Sequence, residues 1–230
     1  MERFPLIGMS SVVSPVKILV LSIFLVFLNA AIWSLGWLYV PDISRENHGM
    51  ENVQAASLLL GSIVFLVASY RASEKPFRIL FISLGLFYMN FFLLEIDLRN
   101  VENYDTLLIG INPPGRDYWL TAAWIVVVGF FLFNARKTLS AFLAWLKTPQ
   151  GLVIMAAGLF YFASVPFDDS LLNLEPKTNK FLEEIMDNIA TSLMLLCAVL
   201  TLASKQSPHA AMHDRPESRP GKFMSDNNIG

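Results

Sequence analysis

Six long apolar runs leave few folds open to this chain. Crossing the hydrocarbon core of a bilayer as a helix takes about 18 or more consecutive, largely apolar residues. The first run extends from Lys17 to Val40, the second from about Val53 to Tyr70, and the third from about Ile79 to Leu98. The fourth spans Tyr118 to Phe133, and the fifth, the shortest, Gly151 to Pro166. The sixth starts near Phe181 with acidic residues and becomes fully apolar from Ile189 to Ala203. In lipid every backbone N–H and C=O must be satisfied inside the protein, so only helices and closed barrels cross. These runs lack the alternation of barrel strands. The expected fold is all-α: a polytopic membrane helix bundle of about six transmembrane helices.

Composition agrees. Hydrophobic residues make up 54% of the chain and charged residues 16%, against about a quarter charged in soluble domains. A net charge of -2 gives no basis for general nucleic-acid binding, which needs a positive surplus. The single cysteine, Cys197, rules out an internal disulfide and a Cys-rich metal site. The first run is about twice the length of a signal-peptide core and lacks a clean small-x-small cleavage site, so it reads as a retained helix. Pro15 and Pro41 bracket it, as prolines do at helix ends.

Residues 1–203 are thus expected to form the transmembrane domain and 204–230 a disordered cytoplasmic tail. The tail is polar, carries Pro208, Pro216 and Pro220, and has no periodicity. Its His209 and His213 have a metal-binding spacing, but no fold there would preform a site.

Orientation follows the Lys and Arg residues. With the N-terminus inside, twelve of the seventeen fall in inner segments and five in outer ones, and each inner loop outweighs its neighbours. Both termini are expected to be cytoplasmic. Trp33, Trp37, Tyr39 and Trp119 near outer ends, and Tyr70 and Trp145 near inner ends, are placed to anchor at the headgroups. After the fourth run, Leu139, Phe142, Leu143 and Leu146 repeat at i, i+3, i+4 and i+7 between Lys137 and Lys147. That stripe fits a basic amphipathic helix on the membrane surface or an extension of the fourth helix. Ser57 with Gly61, and Ala157 with Gly158, would allow close helix approach.

Acidic residues divide in the opposite sense, fourteen of nineteen lying in outer loops or at outer helix ends. Charges that enter membrane helices are expensive and are usually paired or functional. Three groups do so. Glu51 and Gln54 lie one turn apart at the start of the second helix, where carboxylates also suit the helix dipole. Glu95, Asp97 and Arg99 close the third helix, and Glu95 and Arg99 are spaced to pair at i, i+4. Glu184, Asp187, Asn188 and Thr191 form a stripe on the sixth helix that penetrates about 10 Å. All three groups lie at the expected outer side. If their helices are neighbours, the polar faces meet in an acidic pocket with Arg99 as its built-in cation.

Three readings of that pocket are open: solvated helix ends, a structural polar network, or a ligand site. Hard divalent cations prefer such oxygen ligands, so a divalent cation is the cofactor to consider. His48, the only histidine outside the tail, lies in the first outer loop between Glu46 and Glu51, where it could act as base or ligand or simply face water. No G-x-S-x-G, H-E-x-x-H or G-x-x-x-x-G-K pattern occurs.

The segment Glu46–Asn–His–Gly49–Met–Glu51, followed by Asn52, Gln54 and later by Leu-Glu-Ile-Asp-Leu-Arg at Leu94–Arg99, resembles a loose group of uncharacterised bacterial multi-pass inner-membrane proteins. Those carry acidic residues at the outer ends of successive helices. The resemblance covers about residues 49–99, with an echo at Glu183–Asp187, and implies membrane location without an activity. The ceramidase-like hydrolases need membrane histidines for zinc, and no expected span contains one. The first functional expectation is a non-catalytic organising or partner-binding protein, its partner another membrane protein or a second copy of itself. The alternatives are a metal-dependent enzyme acting on a lipid or lipid-linked substrate and, third, a small transporter.

Overall fold

The computed structural model describes residues 14–40, 49–95, 115–168 and 174–204. They form six helices and, among the described residues, no strand: α1 (Pro15–Tyr39), α2 (Gly49–Arg71), α3 (Lys75–Glu95), α4 (Gly115–Leu146), α5 (Pro149–Asp168) and α6 (Pro176–Ala203). Each of the six is long and apolar enough to cross a bilayer. The protein is a multi-pass helical membrane bundle. The expected tail and the first outer loop, with His48, His209 and His213, lie outside the described residues.

Helix starts follow from proline and threonine chemistry. Pro15, Pro149 and Pro176 occupy the first helical position, where a missing N–H costs nothing. Thr148 caps α5, its hydroxyl accepting the Gly151 N–H at 3.2 Å, which satisfies one orphan donor. Only two residues therefore separate α4 from α5. A Cβ on Gly151 would strike the α4 backbone at Trp145 and Leu146, so this close turn requires glycine. The fifth helix does not stop at Pro166; that proline sits inside α5, and the helix ends at Asp168.

The stretch after the fourth run settles as an extension of α4, a helix of 32 residues. Its buried face is not the leucine stripe. Leu139 and Leu143 are exposed, while Thr138, Ala141 and Trp145 are buried, because α3 and α2 offer an aromatic surface there. Phe65 of α2 meets the Phe81, Tyr88 and Trp145 rings at 6.1, 5.1 and 6.3 Å.

α6 is the most enclosed of the six helices. It packs against α1, α2 and α5, while α3 joins α2 to α4. Gly61 lets the Tyr88 ring lie flat on α2: an added Cβ would stand 2.7 Å from that ring. The Tyr88 hydroxyl is fixed in turn, donating to the Met194 carbonyl of α6 at 3.0 Å. Ser57 and Ala157 are also buried. Gly158 differs, because nothing lies within 4 Å of where its Cβ would be, so it serves no helix contact.

The aromatic anchors divide. Tyr39, Tyr70 and Trp119 are exposed, whereas Trp33 and Trp145 are buried. Trp37 stacks on Phe181 of α6 with ring centroids 4.5 Å apart. These three rings fill helix seams, where their large apolar area is removed from lipid and placed against protein.

Candidate functional site

At one end of the bundle the start of α2, the end of α3, the end of α5 and the start of α6 surround a polar cavity of about 220 Å³. Its lining holds six carboxylates, Glu51, Glu95, Asp168, Glu183, Glu184 and Asp187, and one ammonium, Lys180. Gln54, Tyr161 and Ser164 complete the polar wall.

Glu184 is the most deeply held of the acids, at 3% exposure. A buried carboxylate is tolerable only when both oxygens are engaged. Here one oxygen accepts the Gln54 side-chain amide at 2.8 Å, and the other faces Lys180 Nζ at 2.9 Å. Lys180 also reaches Glu183 at 3.1 Å. The spacing explains the geometry, since Lys180, Glu183 and Glu184 stand at i, i+3 and i+4 on the first turns of α6. Gln54 arrives from α2 because Gly61 and Ser57 bring the two helices close on that same side.

Asp187 stands one turn deeper, beside Ser164 of α5, and its Oδ1 has no hydrogen-bond partner. The Ser164 hydroxyl is itself bonded to the Tyr161 carbonyl at 2.7 Å. Asn188 does not line the cavity. It is fully buried, donates to the Glu184 carbonyl at 2.9 Å, and acts from behind the α6 backbone.

Of the residues expected from sequence, Glu51, Gln54, Glu95, Glu184 and Asp187 line one cavity. Asp97 and Arg99 lie outside the described residues. Among the described residues the cation of the pocket is Lys180, and α5 contributes a wall that sequence reasoning missed. Its signal was present: Tyr161, Ser164 and Asp168 recur at i, i+3 and i+7, a polar stripe on an otherwise apolar helix.

Chemically, the cavity favours a cation with hydrogen-bond donors. Six carboxylates face one ammonium, and Asp187 Oδ1 lacks a donor. Among the described residues no three His, Cys, Asp or Glu side chains are placed to hold one metal ion.

The bundle and its pocket define a polytopic helical membrane protein with an acidic cup at one end. No family model, curated protein or solved structure matches the chain.

Proposed function

We propose that this is a non-catalytic protein of the bacterial inner membrane that binds a partner through the acidic cup, its cup facing outward. The cup seats a basic side chain of a membrane-protein partner, an Arg or Lys that brings its own N–H donors. The observation that carries this reading is the excess of carboxylates over ammonium around a cavity small enough for a side-chain head. Pockets for drug-sized ligands run to about 300–1,000 Å³, above the 220 Å³ found here. A guanidinium would meet the carboxylates that line the cavity and form charge-assisted bonds, the stronger kind.

The metal-dependent enzyme draws less support, because the described carboxylates spread around the cavity rather than converging on a point. Transport draws less still, since the cup lies at the helix ends and transporter sites lie near the midplane.

The test uses the full chain in a non-ionic detergent, titrated by calorimetry with methylguanidinium and separately with Mn²⁺. Methylguanidinium should bind, and Glu95→Gln or Asp187→Asn should weaken it by about tenfold or more, as loss of a desolvated charge partner does. Binding of Mn²⁺ without methylguanidinium would turn the assignment to a metal site. Binding of neither would end it.

A further inference from the structure

α4 is bowed. Trp124 and Trp145 of α4 line one cavity with residues 80–87 of α3, a stretch of about 10 Å, whereas 21 residues of straight helix would set the two tryptophans about 31 Å apart. Between them Asn134 and Thr138 turn their side chains back onto the carbonyls of Phe130 and Asn134, each at 2.9 Å. Such back-bonding bends helices.

The concave side of the bow encloses a second cavity, of about 490 Å³, between α3, α4 and α5. Leu84, Phe87, Trp124, Phe131, Phe142 and Trp145 form much of its wall. Three wall residues carry a polar nitrogen or oxygen in the side chain. The Ser83 hydroxyl is already bonded to the Ile79 carbonyl at 3.0 Å. The others are the indole N–H groups of Trp124 and Trp145, and Trp145 is fully buried and without an acceptor. Water in such a space would need two to four polar partners per molecule, and the wall offers three polar groups, of which Ser83 is already bonded and Trp145 is fully buried. A space of this size, lined by carbon within membrane-spanning helices, is filled by hydrocarbon.

The wall also says which hydrocarbon. Leu80, Trp145 and Leu146 bring the cavity to the end of the bundle opposite the acidic cup. That end carries Lys75, Arg78, Arg136, Lys137 and Lys147, which are exposed. We infer that the cavity beneath bowed α4 is a binding site for one acyl chain of an anionic glycerophospholipid. The apolar wall packs the acyl chain, and the basic residues hold the phosphate. This inference is independent of the acidic cup, at the other end of the molecule.

Native mass spectrometry of the full chain, released from detergent with phosphatidylglycerol or phosphatidylcholine, tests it. One phosphatidylglycerol should remain bound, about tenfold more tightly than phosphatidylcholine, given the attraction of clustered basic residues for anionic lipid. Lys147→Gln removes one exposed basic group and should weaken retention of phosphatidylglycerol about fivefold, the worth of one Lys near an anionic lipid surface. Leu84→Phe and Val128→Phe, which fill the cavity, should release the lipid while circular dichroism reports unchanged helix content. Should a filled variant fail to fold, the Lys147→Gln comparison decides alone. Equal retention of both lipids with no effect of Lys147→Gln overturns the proposal. So does a dimer mass that appears in place of bound lipid, because a second copy would then occupy the groove.

Discussion

Gln54 and Glu184, 130 residues apart in the chain, meet across the α2–α6 seam, the amide donating to the carboxylate at 2.8 Å. Both are almost fully buried, so this bond lies where two spans must pack. Gln54→Leu leaves one carboxylate oxygen without a donor, and should cost about 1.5–3 kcal/mol, the range for hydrogen bonds to charged groups. Gln54→Leu with Glu184→Leu should lie closer to wild type than Gln54→Leu alone, because no buried charge is then stranded. Unfolding in mixed detergent micelles reads both. Additive costs in the double variant would show that the two side chains are not coupled.

Gly61 should tolerate no methyl group. A Cβ there meets the Tyr88 ring at 2.7 Å, and the ring cannot slide, since its hydroxyl is bonded to Met194. Gly61→Ala should therefore destabilise by about 1–3 kcal/mol, the usual cost of overpacking. Adding Tyr88→Leu should recover part of that loss. If Gly61→Ala is neutral in the same unfolding assay, α2 and α3 are not in close contact there.

Two glycines of α5 make a matched pair. Gly151→Ala would drive a methyl group into the backbone of α4, and should lower the melting temperature sharply or prevent folding. Gly158→Ala meets nothing within 4 Å, so it should be neutral or gain the helix propensity of alanine, about 0.5–1 kcal/mol. Equal effects at the two sites would contradict the tight α4–α5 turn.

The helices were legible in the sequence because membrane spans obey one dominant constraint, unbroken apolarity. Their ends were less so. The α5 boundary at Pro166 failed because a proline near a helix C-terminus removes only one bond. Trp145 was misplaced for a different reason. A tryptophan near a span end fits the headgroup level by composition alone, and only the Phe65 ring on α2 decides that it turns inward. The convergence of Glu51, Glu95 and Asp187 could be anticipated from alternating topology. Lys180 was hidden by its position at a helix start, where a lysine reads as an ordinary outer charge. The contribution of α5 stayed hidden because its stripe consists of a tyrosine, a serine and one acid, none of them unusual alone.

The described charges separate along the bundle, which makes sidedness testable. Glu51, Glu95, Asp168, Glu183, Glu184 and Asp187 gather at the cup, while Lys75, Arg78, Arg136, Lys137 and Lys147 lie toward the other end. On the proposed orientation, with positive charge retained on the cytoplasmic side, the cup faces outward. The native Cys197 is fully buried, so an introduced cysteine reports alone. In intact cells Glu51→Cys and Asp168→Cys should react with a membrane-impermeant maleimide, because both line the cup, which that orientation places outside. Lys75→Cys and Lys147→Cys should react only after lysis. The reverse pattern would place the cup in the cytoplasm, and its partner would then have to present the basic side chain from that side. Labelling of all four in intact cells would mean that the bundle does not separate the two compartments, and the six-span arrangement would fail.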